Sequence, residues 1–380
     1  MRPRFELATL LREQWPRIET SDRLSNHHKR MLKALAQCRT AALGGHLDAC
    51  SDCGLVRISY NSCRNRHCPK CQGAQRQQWI ADREEELLPL PYFHLVFTLP
   101  EALNPMALKH PRLIYGLLFQ VAWQTIQAFA RDHKHLGAQT AMVAILHTWG
   151  QNLSLHPHLH CIVPGGGLTP SGKWKMTGNK GKFLFPVKAM SKVFRAKFAQ
   201  ALRKAAAQKH IPIPDSLFKA FFARKWVIYA KRPFGGPKQV LEYLGRYTHK
   251  VAISNHRITD LDQHTISFSY KDYRQAGKKR IMTLDKQAFI LRFARHILPP
   301  GFVRIRHYGF LASKTKRKAL PLARKALRQI KTTPIDSTAC QRPQPPSFDP
   351  LLCPCCGKKT MITQRVFLPQ RAPPLPIPCS

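Results

Sequence analysis

The spacing of apolar residues along the chain predicts a protein built from both strands and helices. Short apolar runs predict strands at residues 92–99, 141–149, 156–164, 226–231 and 302–310, with a hairpin at 256–273. Apolar residues at helical spacing predict helices within 1–45 and at 101–131, 183–207, 216–225, 285–297 and 314–331. This order predicts an α+β fold in which an antiparallel sheet carries helices on one face.

The longest uncharged run, Leu113 to Ala130, is interrupted by Gln120, Gln124 and Gln127. Glutamines at this spacing lie on one face of a helix, so the run predicts a helix with a polar stripe and a large buried face rather than a membrane span. The first residues, Met1 to Arg4, have no apolar signal region. We therefore expect a cytoplasmic protein without a membrane partner.

The charge balance of the chain points to a polyanionic partner. Its 380 residues include 62 Lys and Arg against 20 Asp and Glu, which gives a formal net charge of +42. A field of that sign attracts nucleic acid and releases its counterions on binding. Nucleic acid is therefore the first partner to consider.

The 12 cysteines of a cytoplasmic chain suggest metal binding before disulfides. Two Cys-x-x-Cys pairs, Cys50 with Cys53 and Cys68 with Cys71, are flanked by Gly54 and Pro69 in knuckle positions. Four thiolates in this pattern close a tetrahedral zinc site. The pattern predicts a structural zinc ribbon at residues 46–80.

Other cysteines and histidines remain outside this predicted ribbon site. A second, interleaved site is open for Cys38, His46, Cys63 and His67. Near the end of the chain, Cys353 and Cys356 resemble half of another knuckle, for which no second Cys-x-x-Cys follows. Metal binding by these two groups stays open on the sequence.

A histidine-rich run provides the candidate catalytic chemistry. In an extended run the side chains of His156, His158 and His160 share one face, whereas Leu159, Cys161 and Val163 face the opposite way. Neutral imidazoles one pleat apart can bind a divalent cation and leave positions open for substrate.

The ligand set of this site is partly open. We expect His158 and His160 to be ligands, with Gln151 as the third and His156 as the alternative, because a turn at residues 152–155 would bring Gln151 near His158.

A predicted helix at 237–252 carries Tyr243 and Tyr247. A spacing of four residues sets both phenols on one face, a single turn apart. Alone, such a pair is more often packed than reactive, so its interpretation depends on its context.

Together these segments resemble the HUH endonucleases, and most closely the insertion-sequence-91 family of rolling-circle transposases. Three runs carry the resemblance: Asn61 to Cys71 in the ribbon, His156 to Cys161, and Tyr243 to His249. The order of the three runs along the chain is specific to this family.

The resemblance implies a ferredoxin-like HUH nuclease core whose central strand carries His158 and His160, with the tyrosine helix laid across it. It implies Mg²⁺ or Mn²⁺ at the histidines and Tyr243 and Tyr247 as nucleophiles. Their attack on single-stranded DNA at the element ends and at the target would give a 5′-phosphotyrosine.

On this interpretation the chain divides into four parts. These are a basic helical segment at 1–45, the ribbon at 46–80, a nuclease core at 90–310 that includes the helix at 237–252, and a basic helix with a proline-rich tail at 311–380. Two alternatives stay open: a rolling-circle replication initiator, and a non-catalytic zinc-ribbon DNA-binding regulator.

Overall fold

The computed structural model describes residues 3–84, 86–178, 183–231, 240, 245, 250–329 and 349–369. The chain divides into two compact units, each built from separate stretches of sequence. A terminal unit joins Met1–Gly73, Ile253–Ile297 and Ala339–Ser380, and a central unit joins Ala74–Ala252 and Leu298–Thr338. Residues 253–297, which the sequence assigns to the nuclease core, thus fold with the two ends of the chain.

The strands and helices predicted from the apolar pattern are present among the described residues, with shifted boundaries, and further elements that were not predicted lie between them. The α-helices are α1 (Leu7–Glu13), α2 (Trp15–Thr20), α3 (Asn26–Ala36), α4 (Gln72–Glu84), α5 (Asn104–Lys109), α6 (Pro111–Arg131), α7 (Val187–Gln208), α8 (Asp215–Ala223), α9 (Lys286–Ala294) and α10 (Lys316–Arg328). The strands are β1 (Gly45–Cys50), β2 (Val56–Tyr60), β3 (Tyr92–Thr98), β4 (Ala141–Trp149), β5 (Leu155–Pro164), β6 (Gly166–Leu168), β7 (Trp174–Met176), β8 (Ile228–Lys231), β9 (Ile258–Leu261), β10 (Thr265–Asp272), β11 (Lys278–Asp285), β12 (Ile305–Gly309) and β13 (Met361–Phe367).

A five-stranded sheet in the order β12-β4-β5-β3-β8 forms the middle of the central unit. All its pairings are antiparallel, which confirms the predicted α+β class with antiparallel sheets. The histidine strand β5 occupies the middle position, so both of its edges are hydrogen-bonded and its register is fixed from two sides.

The two faces of this sheet are covered by different elements. Leu159, Cys161 and Val163 join a core that includes α6 and α7, as the alternation of β5 predicts. Ile162 on the opposite face joins a second core with Leu320 of α10. The prediction of helices on one face only was therefore wrong, because α10 carries an apolar stripe that is buried on the other face.

The long helix predicted at 101–131 is three consecutive segments. A 3₁₀ turn at Glu101–Leu103 leads into α5, and α6 begins at Pro111. His110 has φ of −128° and ψ of 57°, which is not helical, and Pro111, which disfavours a helical conformation in the residue before it, begins the next helix.

Among the described residues, α6 is the one helix that is long and apolar enough to cross a membrane. Its apolar residues, including Leu118 and Phe119, are buried against the central sheet. Gln120 is exposed, and Gln124 and Gln127 are half-buried. The predicted polar stripe is therefore present on a helix whose other side belongs to the core.

The terminal unit contains two three-stranded antiparallel sheets. The order β11-β10-β9 extends the hairpin predicted at 256–273 by a third strand. In the order β13-β1-β2, a strand from the C-terminal part of the chain pairs with β1. Residues 361–367, which the sequence places in the tail, therefore complete the sheet of the predicted zinc ribbon.

Leu118→Ala should lower the free energy of unfolding by about 2–5 kcal/mol, because the Leu118 side chain is fully buried and its loss leaves a cavity. Leu108→Ala is the matched control, since Leu108 lies on the neighbouring helix and is 47% exposed. Urea denaturation of both variants measures the difference. Equal losses for the two variants would contradict this account of the core.

Candidate metal centres

Three imidazoles meet on the central sheet. His158 and His160 lie two residues apart on β5, and His147 on β4 is the antiparallel partner of His158. One ring nitrogen from each of the three lies within 4.8 Å of the others. His147 and His160 are buried, and His158 is half-buried. Three convergent imidazole nitrogens can hold one divalent cation and leave positions for other ligands.

The third imidazole is one that the sequence analysis missed. Gln151 lies in the loop between β4 and β5, where Gly150 N–H donates to the Ser154 carbonyl. His156 is exposed and lies outside the group of three imidazoles. The available signal for His147 was its position on the strand predicted beside β5, with a short loop that sets the register between the two strands.

Hydrogen bonds fix which ring nitrogen of His158 and of His160 is left for a ligand. The Nδ1–H of His158 donates to the His156 carbonyl at 2.6 Å, so Nε2 is the nitrogen that carries the free lone pair. His160 Nδ1 lies 2.9 Å from His94 Nε2, and His94 is itself buried on β3. His94 thus orients the His160 ring through Nδ1 and leaves Nε2 of His160 for a ligand.

The electrostatics of the site keep these imidazoles neutral. Burial lowers the pKa of His158 to about 4, with further lowering by the neighbouring cations. Burial, and then the repulsion that a second protonated ring at His147 would cause, hold the pKa of His160 well below its ordinary value, and burial lowers the pKa of His94 to about 4. Near neutral pH the ring nitrogens therefore carry lone pairs, which is the form that binds metal.

Tyr243 and Tyr247 lie outside the described residues, but nearby residues of the same segment are described. Val240 is helical and fully buried in the core on the imidazole face of the sheet. Lys250 is exposed and lies close enough to lower the pKa values of His158 and His160. Val240 thus lies on the side of the sheet that carries the imidazoles, and Lys250 lies within electrostatic range of two of them.

The terminal unit contains two clusters of four thiols. The first cluster consists of Cys38, Cys63, Cys68 and Cys71. Its sulfur atoms are close together, with Cys71 Sγ 3.4 Å from Cys38 Sγ and 3.6 Å from Cys63 Sγ. Four sulfurs at about 2.3 Å from one zinc ion would lie about 3.8 Å apart, so this spacing fits a tetrahedral site.

The second cluster consists of Cys50, Cys53, Cys353 and Cys356. Cys50 Sγ lies 3.7 Å from Cys356 Sγ, and Cys53 Sγ lies 3.6 Å from Cys353 Sγ. These distances are far longer than the roughly 2 Å of a disulfide bond, and all four cysteines are free.

The two N-terminal Cys-x-x-Cys pairs therefore do not share one site. The predicted set of Cys50, Cys53, Cys68 and Cys71 is replaced by two sets, because each pair has another pair of thiols closer in space. Of the residues left open by the sequence, Cys38 and Cys63 join the first cluster. His46 instead forms an ion pair with Asp48 at 3.4 Å, and His67 is not a member of either cluster.

Two thiols in each cluster have a pKa below the ordinary value, Cys38 and Cys71 in the first and Cys50 and Cys353 in the second. Hydrogen bonds from Cys38, and then from Cys63 and Cys68, hold the pKa of Cys71 far below its usual range. A hydrogen bond from the Thr360 hydroxyl, and then the backbone N–H of Cys53, lower the pKa of Cys50 to about 6. Since the thiolate is the form that binds metal, both clusters present ligands suited to zinc.

Two family models match the chain. Residues 141–319 match the family model described as "Putative transposase", and residues 10–99 match the one described as "Transposase zinc-binding domain". The first range contains the imidazole cluster, and the second contains the whole first thiol cluster. No solved structure matches the chain.

Two curated relatives cover most of the chain. "Putative transposase y4qJ" of Sinorhizobium fredii is 43% identical over 369 residues, 92% of each chain. "Transposase for insertion sequence element IS801" of Pseudomonas savastanoi pv. phaseolicola is 29% identical over 346 residues, 87% of this chain and 82% of the relative.

The protein is therefore a transposase with a zinc-binding domain near its N-terminus. Within that class it belongs to the insertion-sequence-91 family, which confirms the resemblance drawn from the sequence. Transposases bind and process DNA, in agreement with the net charge of +42.

His94→Ala should weaken Mn²⁺ binding by about 10–100-fold, because His94 fixes the orientation of His160 without belonging to the imidazole group. His94→Gln, whose amide oxygen can accept the same hydrogen bond, should restore part of the affinity. Electron paramagnetic resonance of a Mn²⁺ titration measures both. His307→Ala, a half-buried imidazole on β12, is the control, and equal losses in His94→Ala and His307→Ala would refute the orienting role.

Proposed function

We propose that this transposase is a metal-dependent single-strand DNA endonuclease and strand transferase. It nicks single-stranded DNA at the element ends and at the target through a 5′-phosphotyrosine, and moves the strand by a rolling-circle mechanism. The observation that carries the proposal is the convergence of His147, His158 and His160 on one face of the central sheet, within the range matched by the transposase family model. A ferredoxin-like HUH core, with β5 at its centre, is part of the proposal.

In this proposal His147, His158 and His160 hold the catalytic ion through neutral ring nitrogens. His147 takes the place for which the sequence offered Gln151 or His156. A donor set of imidazoles suits a transition ion such as Mn²⁺ better than Mg²⁺, which prefers oxygen ligands. When bound, the ion polarises the scissile phosphate and offsets the charge that develops on it.

Tyr243 and Tyr247 are the proposed nucleophiles. The phenol oxygen bonds to phosphorus as the bond from phosphorus to the 3′ oxygen breaks, and the phenolic proton is balanced by the proton gained by the released 3′-hydroxyl. A phenol with an ordinary pKa near about 10 is a weak nucleophile at neutral pH, so it depends on a site that stabilises the charged transition state.

Two described residues flank the proposed nucleophiles in the sequence. Val240 precedes them and is buried on the imidazole face of the sheet, and Lys250 follows them near His158 and His160. The ammonium of Lys250 provides positive charge where a phosphate would enter.

A structural zinc ion is proposed for the first thiol cluster. Cys38, Cys63, Cys68 and Cys71 all fall within the zinc-binding domain at residues 10–99. Zinc bound by four thiolates has no open position for substrate, so this ion holds the domain together and does no chemistry.

Tyr243→Phe and Tyr247→Phe should each still form some covalent DNA adduct but fail to complete strand transfer, because two strands must be held in turn. The double variant should form no adduct. Denaturing gels with 5′-labelled and 3′-labelled single-stranded end oligonucleotides measure this. Tyr229→Phe, which alters an exposed phenol on β8, is the control and should behave as wild type. Adduct formation by the double variant would place the nucleophile elsewhere, and normal transfer by either single variant would refute the two-nucleophile mechanism.

Replacement of both His158 and His160 by Ala should abolish cleavage in Mn²⁺ while single-strand binding changes little, since affinity comes mainly from phosphate contacts. His147→Ala should also abolish cleavage, whereas His156→Ala should leave it near wild type because His156 contributes its backbone carbonyl. Cleavage and filter-binding assays measure the two effects. Cleavage that survives the double replacement would overturn the catalytic role of the cluster.

A further inference from the structure

The second thiol cluster joins two segments that are 300 residues apart in the sequence. Cys50 is the last residue of strand β1 and Cys53 follows it, whereas Cys353 and Cys356 precede strand β13. The family zinc-binding domain at residues 10–99 contains all four ligands of the first cluster but only Cys50 and Cys53 of the second. We propose that a second zinc ion is bound by Cys50, Cys53, Cys353 and Cys356, and that it fastens the C-terminal strand to the N-terminal sheet.

The two halves of this site have the same backbone geometry. The N–H groups of Cys50 and Cys353 donate to the carbonyls five residues ahead, at 2.9 and 2.8 Å. The N–H groups of Gly54 and Gly357 donate back to the carbonyls of Cys50 and Cys353, at 3.1 and 2.9 Å.

Each turn ends on a glycine with the same positive φ. Gly54 and Gly357 both have φ of 72°, a conformation that other residues rarely adopt. An added Cβ would meet nothing within 4 Å at either position, so the backbone conformation and not the available space selects glycine. Cys353 to Gly357 is thus a second knuckle of the same form as Cys50 to Gly54, turned toward it.

Few apolar residues are buried around the second thiol cluster. The buried apolar residues of this cluster are Cys50, Cys353 and Met361, with Leu55 and Cys356 partly buried beside them. A core of this size cannot offset the conformational entropy of ordering the C-terminal segment, so modules of this kind depend on metal for stability. Zinc bound by four thiolates provides the missing stabilisation.

Contacts along β13 extend the junction beyond the cysteines. β13 pairs with β1 from Cys50 opposite Met361 to Gly45 opposite Phe367. The buried carboxylate of Asp48 accepts hydrogen bonds from Thr363 at 2.9 Å and from Arg57 at 3.2 Å. These contacts orient the strand, and the zinc ion would lock its end.

Metal analysis of the purified full chain tests the proposal. Wild type should hold about two zinc ions, and the double variant Cys353→Ser/Cys356→Ser about one, because four thiolates are needed to close a site. Cys63→Ser should also lose about one ion, from the first cluster. The matched control is Cys355→Ser, which alters an exposed cysteine of the same knuckle outside the cluster and should leave the zinc content at the wild-type value.

Retention of the wild-type zinc content by Cys353→Ser/Cys356→Ser would overturn the proposal. A wild type with about one ion that the double variant loses would uphold it and would instead refute zinc in the first cluster. Neither outcome depends on the nicking activity, which the tyrosine and histidine variants test separately.

A second experiment leaves the eight cysteines of the two thiol clusters in place, so it remains decisive if the double variant does not fold. A site-specific protease sequence is inserted between Ser337 and Thr338 of the full chain, and the chain is cut. The C-terminal fragment should co-elute with the rest of the protein in zinc and separate after chelation. Separation while zinc is bound, or co-elution after its removal, would show that the ion does not fasten the strand.

Discussion

The alternation of side chains along β5 is the constraint on which the central unit depends. β5 is the middle strand of its sheet, and one of its faces must be apolar because α6 and α7 pack against it. The alternate residues, which include His158 and His160, point to the other face. A shift of one residue in its pairing would place both imidazoles in the hydrophobic core. The stability of the fold and the position of the proposed active site therefore depend on the same register.

The candidate metal sites of this protein offer nitrogen and sulfur ligands. With only 20 Asp and Glu against 62 Lys and Arg, the chain has few carboxylates that could serve as metal ligands. Neutral imidazoles and zinc-bound thiolates serve a polyanion-binding protein well, since they place no free carboxylate where a phosphate must approach. Burial first, and then nearby positive charge including that of Lys250, lower the pKa values of His158 and His160 and keep both rings in the form that binds metal.

The two thiol clusters differ in how far apart their ligands lie in the sequence. The first is assembled from residues 38 to 71 and sits within one family domain, whereas the second spans residues 50 to 356. A crosslink across so long a loop removes more freedom from the unfolded chain than a local one. On our proposal, the second zinc ion makes the folding of the N-terminal sheet conditional on the arrival of the C-terminal strand.

The sequence by itself determined the elements whose signal is local. The bounds of β4, the alternation of β5, the knuckle form of each Cys-x-x-Cys and the family could all be predicted, because each depends on neighbouring residues. Tertiary structure alone decided which thiols meet, which residue becomes the third imidazole, and that β13 completes the ribbon sheet. Pairing between distant segments depends on register and packing, and neither produces a periodic pattern of residues that can be recognised in a single sequence.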